Sequence, residues 1–504
     1  MTRGAKDHRL FIISDLHLGG CDGANGRPGS RLFSSHAALA DFVDWTAAQG
    51  MNGESVELVV NGDIVDFLAD DPGEDGSLAA GIFTGDETEA VDKLAAIRRA
   101  APGVFAAFGR FLAAGHRLTL LLGNHDVELS LPRVRRTLED CLDAHGRDLN
   151  FIYDGEAYTV GRVLIEHGNR YDPWNQIDHD AMRRERSVRS RGAACLPPDK
   201  EHLQFEPPAG TLLVIHFLNR IKRTYRFVDL LKPEEAAVLP LLLALSENKY
   251  WARLDDIMAA AAVGRRRSLL RLRAPVEKGV AGNLAHEVAP SSPEAPASLA
   301  ELARSLALDE ILFPVPLIDR ETLSGSESWS PWQKAKNAFQ MGALALGSSD
   351  RDGIPFKRLH EALIRLNLTD DSFDITREKS VYLGPAREMI DTGEFQAVVF
   401  GHTHLPKLIP HRYDRGIRTR YINTGTWADV MRLPQAILDD GKAGEAAVLE
   451  FCEALRANDH SHYVQRYLAY AEIPVGDGNV RQADLRFWCG RGRERETGLT
   501  GYPR

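Results

Sequence analysis

The sequence predicts an α/β protein whose wound sheet is interrupted by a long, mainly helical insertion. Three observations lead there. Short apolar runs rich in β-branched residues recur, each ending in a turn that carries Asp, Asn or His. The first three alternate with helix-like stretches, the order expected of a wound sheet. The interval from about 174 to 390 differs in character, Arg-rich at first and then Ala/Leu-rich with helical spacing.

Taken in order, "LFIISDLHLGG" runs from Leu10 to Gly20 and is followed by a helix pattern over His36–Gln49. "ELVVNGDIVDF" covers Glu57–Phe67, and a second helix pattern follows over Glu87–Ala114. "LTLLLGNHDVE" covers Leu118–Glu128, and "RVLIEHGNRYD" covers Arg162–Asp172. "AVVFGHTHLP" and "RYINTGTWAD" come after the insertion. Each run of four to six apolar residues bounded by Gly or Asn reads as a buried strand. Within the insertion, Thr211–Leu231 and Glu234–Val263 have helical spacing, and residues 281–298 are small, polar and Pro-containing, as in a flexible link. After residue 430 the chain predicts a helix near Gly444–Ala457 and two late strands in "YLAYAEIPV" and "VRQADLRFWCG". The expected division is a core of residues 1–173 and 391–504 and a helical cap of residues 174–390.

Composition narrows the class. With 504 residues, 44% hydrophobic and 26% charged, the chain can build a sizeable core. A formal net charge of −10 argues against broad nonspecific nucleic-acid binding by the whole molecule. Cys21, Cys141, Cys195, Cys452 and Cys489 are scattered and form no C-x-x-C pair, the usage of a reducing compartment. The first apolar run stops at Asp15, too short for a signal peptide. No stretch approaches the ~18 apolar residues of a membrane span, so the expected location is cytoplasmic.

Wound sheets place functional groups just beyond the carboxyl ends of strands. Standing at such ends are Asp15, His17, Asp63, Asn124, His125, His167, His402 and His404, in clusters D-x-H, G-D-x-x-D, G-N-H-D, H-G and G-H-T-H. Imidazoles, carboxylates and an amide oxygen together suit Mn, Fe or Zn. Seven candidate ligands exceed one tetrahedral ion and suit two ions that share a bridging carboxylate.

These five clusters, in this order, resemble the signature blocks of the calcineurin-like metallophosphoesterases, over residues 10–172 and 397–427. The resemblance implies a four-layer α/β/β/α sandwich with a dinuclear site. Asp15, His17, Asp63 and His404 would hold one ion; Asp63, Asn124, His167 and His402 the other; Asp63 would bridge. Two divalent ions against two carboxylates leave a positive centre for a phosphoryl group, with a bridging hydroxide as nucleophile. Manganese is the expected metal, with Fe or Zn as alternatives. His125 would serve the leaving oxygen, Asp126 would orient it, and Asp66 would supply an outer hydrogen bond. The opening "SDLHLGG" also resembles the UDP-2,3-diacylglucosamine hydrolases, which carry Arg where this chain has His125; that departure favours a general phosphoesterase with an acid histidine.

For the substrate, "RRERSVRSR" at 183–191, including Arg183, Arg184 and Arg186, and "RRRSLLRLR" at 265–273 read either as phosphate clamps or as solvated helix faces. Asn423 and Thr424 are candidate donors to phosphate. Trp174 and Trp427 would stack on a base or sugar, or pack in the interior. Thr211–Leu231 mixes apolar and basic residues, which fits a peripheral lipid contact or an ordinary packing helix. The expected activity is metal-dependent hydrolysis of a phosphodiester or pyrophosphate in a small or extended anionic molecule, with no obligatory nucleic acid. The alternatives are a nuclease, a phosphomonoesterase or protein phosphatase, and last a non-catalytic scaffold, which would have lost ligands that this chain keeps.

Overall fold

The computed structural model describes residues 8–190 apart from 23–28, 51–54, 70, 73–77, 80–86 and 156, scattered positions from 205 to 245, positions 359–361 and 363–364, and residues 372–496 apart from 415, 440, 460 and 491–494. The Arg run at 265–273, the link at 281–298 and most of Glu234–Val263 lie outside the described residues.

Four parallel strands form the first half of the main sheet: β1 (His8–Ile13), β2 (Ser55–Asn61), β3 (Arg117–Leu121) and β4 (Leu149–Ile152), side by side in that order. Helices α1 (His36–Ala47), α2 (Glu87–Ala100), α3 (Pro102–Ala113) and α4 (Pro132–Cys141) fall between them. The single helix pattern expected over Glu87–Ala114 is two helices. Pro102 has no N–H and its ring blocks the preceding turn, so the chain ends one helix at Ala100 and starts the next on the proline.

The second sheet contains β5 (Ala157–Val160), β6 (Val163–Glu166), β7 (Ala397–Phe400), β8 (Lys407–Asp414) and β9 (Ile417–Asn423), in the order β8-β9-β7-β6-β5. Strand β7 pairs in parallel with both β6 and β9, so a strand more than 200 residues after β6 lies beside it in the sheet. Two late strands extend the main sheet: β10 (Ala469–Gly476) pairs antiparallel with β1, and β11 (Asp484–Phe487) pairs antiparallel with β10.

The strand sequences alternate in what they touch. Leu10 and Ile12 of β1 join Val59, Leu121, Val163, Ile165, Val399 and Ile422 in a core between the two sheets. Phe11 and Ile13, from the same strand, pack on the other face with Phe42, Val43, Val104 and Phe108 of the helices. Burial on both faces is why these strands read as continuous apolar runs. Helix α5 (Ser380–Asp391) covers the outer face of the second sheet through Tyr382, Ala386 and Ile390 against Val398, Phe400 and Tyr421.

Described residues between 179 and 232 are folded against this body. Helix His179–Ser190 puts Ala181 and Met182 into the helix-side core. Thr211–Leu231 is not one helix. It forms short turns over Val214–Leu218, Asn219–Lys222 and Phe227–Leu230, then a strand, Leu231–Lys232, that pairs with Val430–Arg432. Ile221, Phe227, Val228, Leu230 and Leu231 are buried against α6 (Lys442–Ala457) and Met431, which occupies the apolar face that a lipid contact would need. Among the described residues no helix is long and apolar enough to cross a membrane.

Candidate metal centre

Strands β1, β2 and β3 end at the loops that carry Asp15, Asp63 and Asn124; β6 and β7 end at the loops that carry His167 and His402. The first two loops run side by side: Asp15 N–H donates to Gly62 O (3.1 Å), His17 N–H to Asp63 O (2.9 Å) and Leu18 N–H to Ile64 O (3.1 Å). The two sheets are tied at the same end. His402 N–H donates to both oxygens of Asp15 (3.2 and 3.0 Å), and Gly401 N–H donates to His167 O (2.9 Å).

The backbone at these loops is unusual. Asp15, His17, Asp63, His402 and His404 all have positive φ, between 47° and 69°. A left-handed turn is uncommon for a residue with a side chain and persists where the surroundings enforce it, most often at functional sites. The preceding glycines are required by space. A Cβ on Gly123 would overlap the Asp63 carboxylate, and one on Gly401 would come within 2.6 Å of Asp15 Oδ2.

The side chains converge. His17 Nε2 lies 3.0 Å from His404 Nε2, and His404 Nε2 lies 3.4 Å from Asp15 Oδ1. Asp63 splits its oxygens: Oδ1 accepts the His125 backbone N–H (2.8 Å), and Oδ2 stands 3.8 Å from His17 Nε2 and 3.3 Å from His167 Nε2. Asp15, His17 and His404 form one group able to hold an ion, and Asp15, Asp63 and His167 form another. His167 Nδ1 donates to Asn61 O (2.8 Å), which fixes the tautomer and leaves the Nε2 lone pair toward Asp63. Buried His167 Nε2 and Asn124 Oδ1 make no hydrogen bond within the protein. Two lone pairs aimed into a carboxylate-lined centre are what a divalent cation requires, and the N/O donor set suits Mn, Fe or Zn.

Electrostatics agree. Burial alone would raise the Asp63 carboxyl, but His167, His125 and His17 hold it well below the usual range. Asp15 is likewise lowered against its burial, by His167 and His404. Burial opposes the charged form of His167, yet Asp63 and Asp15 push it up to about 10. His404 goes the other way, to about 4, through burial and the positive charge of Lys232.

His125 stands at the edge, its side chain 19% exposed and its ring edge-on to His17. Its orienting partner is Asp66, whose Oδ1 lies 3.2 Å from His125 Nδ1 while Oδ2 lies 3.6 Å from His17 Nδ1. Although burial would lower His125, Asp66 and Asp63 push it up to about 9. Asp126, the sequence neighbour expected to orient His125, turns the other way. Its oxygens accept Gly123 N–H and Ile64 N–H, each at 2.7 Å, clamping the second and third loops together. Burial and the nearby Asp63 push its carboxyl to about 7 against those two donors. Asp126→Ala should therefore lower folding stability by about 2–6 kcal/mol, the range for two buried N–H groups left unpaired. Chemical denaturation measures this, and an unchanged midpoint with a large rate loss would return Asp126 to the orienting role.

The remaining expected contacts, Arg184 apart, are used within the fold. Asn423 and Thr424 are fully buried. Asn423 Nδ2 donates to Gly401 O (2.8 Å) and Thr403 Oγ1 (3.0 Å), and Thr424 Oγ1 pairs with Ser14 Oγ (2.7 Å), so both shape the loop carrying His402 and His404. Arg183 pairs with Asp154 (3.0 Å) and Asp180 (2.6 Å). Arg186, itself buried, binds Tyr153 O (2.8 Å) and Asp154. Arg184 is exposed. Trp427 is internal, with Nε1 on Ala469 O (2.8 Å) and its ring against Phe42. Two residues that sequence reasoning passed over, Asp172 and Asn175, touch the centre: Asp172 Oδ2 lies 3.1 Å from His402 Nε2. The signal was an acid five residues after His167, on the turn that leads away from a candidate ligand.

No curated protein matches the chain. The family model for calcineurin-like phosphoesterases matches residues 8–217, which hold four of the five clusters; the fifth, at His402 and His404, is brought to them by β7. That match implies hydrolysis of phosphoric esters, and the strand ends gather carboxylates and histidines in groups able to hold metal ions, so residues 8–217 with the loop of His402 and His404 are similar to the calcineurin-like phosphoesterases.

Proposed function

We propose that the protein hydrolyses a phosphodiester or pyrophosphate bond in a small or extended anionic molecule, using two divalent ions, with Mn²⁺ as the expected metal. The observation that carries the two-ion reading is Asp63 Oδ2, a single carboxylate oxygen set between His17 and His167. Asp15, His17, Asp63 and His404 would hold one ion, and Asp63, Asn124, His167 and His402 the other. When bound, the ions supply Lewis acidity toward the phosphoryl oxygens and a nucleophile drawn from water at neutral pH. The chain's own residues do the rest. Asp66 holds His125 and His17 in register. His125, pushed up to about 9, gives its proton to the departing oxygen. Asn423 and Asp126 fix the loops on which the ligands sit.

The substrate class rests on what adjoins the centre. Residues 174–390 act as a cap on a core of 1–173 and 391–504. Its described start reaches the loop of Asp66, where Asn219 Nδ2 donates to Leu68 O (2.8 Å). Lys222 and Lys232 of that stretch bring positive charge to His125 and His404. A walled, cationic site favours an anionic molecule held beyond its reacting phosphorus over a phosphoresidue on a bulky protein. With Mn²⁺, bis-p-nitrophenyl phosphate should be turned over with kcat/KM about tenfold or more above that for p-nitrophenyl phosphate, ~1.4 kcal/mol in transition-state binding. A panel with cyclic nucleotides, nucleotide-sugar pyrophosphates and single-stranded DNA refines the class. A strong monoester preference would overturn it.

A further inference from the structure

We propose that Asp172 and Asn175 are positioning residues that present His402 and Asn124 to the second ion and thereby set the affinity of that ion separately from the first. The inference rests on the two-ion reading. Both residues lie on the turn "RYDPWN" that follows His167 and leads into the insertion. Asp172 Oδ2 is shared: it lies 3.1 Å from His402 Nε2 and accepts Asn175 Nδ2–H at 2.7 Å. Asp172 Oδ1 accepts the Trp174 backbone N–H at 2.9 Å, so the carboxylate is fixed from two sides. Asn175 Oδ1 in turn accepts from Asn124 Nδ2 at 3.4 Å. The turn is itself braced, by Asn169 Nδ2 on Asn175 O (2.8 Å) and by Gly210 N–H on Trp174 O (2.7 Å).

The chemistry of the two contacts is the same. A neutral imidazole has one N–H. If Nε2 donates it to Asp172, Nδ1 is left with the free lone pair that a metal needs. An asparagine amide has a donor end and an acceptor end. With Nδ2 given to Asn175, the acceptor Oδ1 faces the opposite way, and it is buried without a hydrogen-bond partner. One short turn therefore selects the ligating atom on two residues from different loops. The first set has a separate support, since His17 is backed by Asp66. The two supports share no residue, which is why the two affinities should separate.

The test is a stepwise Mn²⁺ titration of the full chain after chelation, followed by the EPR signal of free Mn²⁺. Wild type should bind two ions per chain. Asp172→Ala should bind the second ion about 10–100-fold more weakly, the range for loss of an outer partner of a metal histidine, with the first little changed. Asp172→Asn should do the same, because its amide N–H opposes the required tautomer, and Asp172→Glu should restore part of the loss. In Asp172→Ala, turnover should be low at limiting Mn²⁺ and return to the wild-type kcat at saturating Mn²⁺, which a damaged fold would not permit. If Asp172→Ala does not fold, Asn175→Ala gives the same reading through Asn124. Equal weakening of both ions, or no weakening in any of these variants, overturns the inference and leaves the two-ion reading intact. A wild-type chain that binds fewer than two ions overturns both.

Discussion

Asp63→Asn should strip the protein of most bound metal and reduce turnover by at least the ~10²–10³-fold seen when one electrostatic stabiliser of a transition state is removed. The substitution is nearly isosteric, so the fold has reason to survive. An amide oxygen at the Oδ1 position still accepts the His125 backbone N–H, now at 2.8 Å, and the third loop keeps its anchor. What disappears is charge at Oδ2. That oxygen lies between His17 and His167, one from each ligand set, so its loss is felt at both ions. Only Asp15 then remains as an anionic ligand for four positive charges. Asp63 is also a leading cause of the rise of His167 to about 10, so that proton affinity should fall with the substitution, an effect that by itself would favour ligation. Against it stands the missing bridge, and the bridge should win because no neighbouring carboxylate occupies its place. Elemental analysis of the purified variant and initial rates with Mn²⁺ decide the matter. Two ions per chain at a normal rate would sink the bridging assignment.

The candidate ligands were legible in the sequence for a physical reason. Strands buried on both faces, such as β1 with Leu10 and Ile12 on one side and Phe11 and Ile13 on the other, leave an unbroken apolar run. The polar residues just past each run then have nowhere to be but the loop. Side-chain direction on those loops was not legible. Asp126 is adjacent to His125 in sequence, yet on a tight turn successive side chains diverge, and its carboxylate goes back to Gly123 and Ile64. The partner that His125 does have, Asp66, comes from a loop 59 residues earlier. The same limit applies to Arg183 and Arg186, whose partner Asp154 lies on the loop that leads from β4 in one sheet to β5 in the other and carries no motif of its own. Asn423 looked like a strand-end donor to phosphate, and its Nδ2 is taken up by Gly401 O and Thr403 Oγ1.

His125→Ala should keep both metals and lose roughly 10²–10⁴-fold in rate, the contribution of a positioned general acid. Metal retention follows from how the residue is used. The contribution of His125 to Asp63 through hydrogen bonding comes from the backbone N–H, which alanine retains. Its ring points instead at Asp66 and stands edge-on to His17. Removing the ring frees Asp66 Oδ1 from one partner but leaves it accepting Leu68 and Ala69 N–H at 2.9 and 3.0 Å, so Asp66 keeps its place behind His17. The rate loss should depend on the leaving group. A poor leaving group such as an alkoxide needs the proton that His125 gives. A good one such as p-nitrophenolate departs with little help. The ratio of wild-type to variant rate should therefore shrink steadily as the leaving-group pKa falls across a series of aryl and alkyl esters. A ratio that is flat across the series would remove His125 from the proton transfer. Loss of one ion by elemental analysis would instead make it a ligand, and would require the grouping of His17, Asp66 and His125 to be read as a metal site of its own.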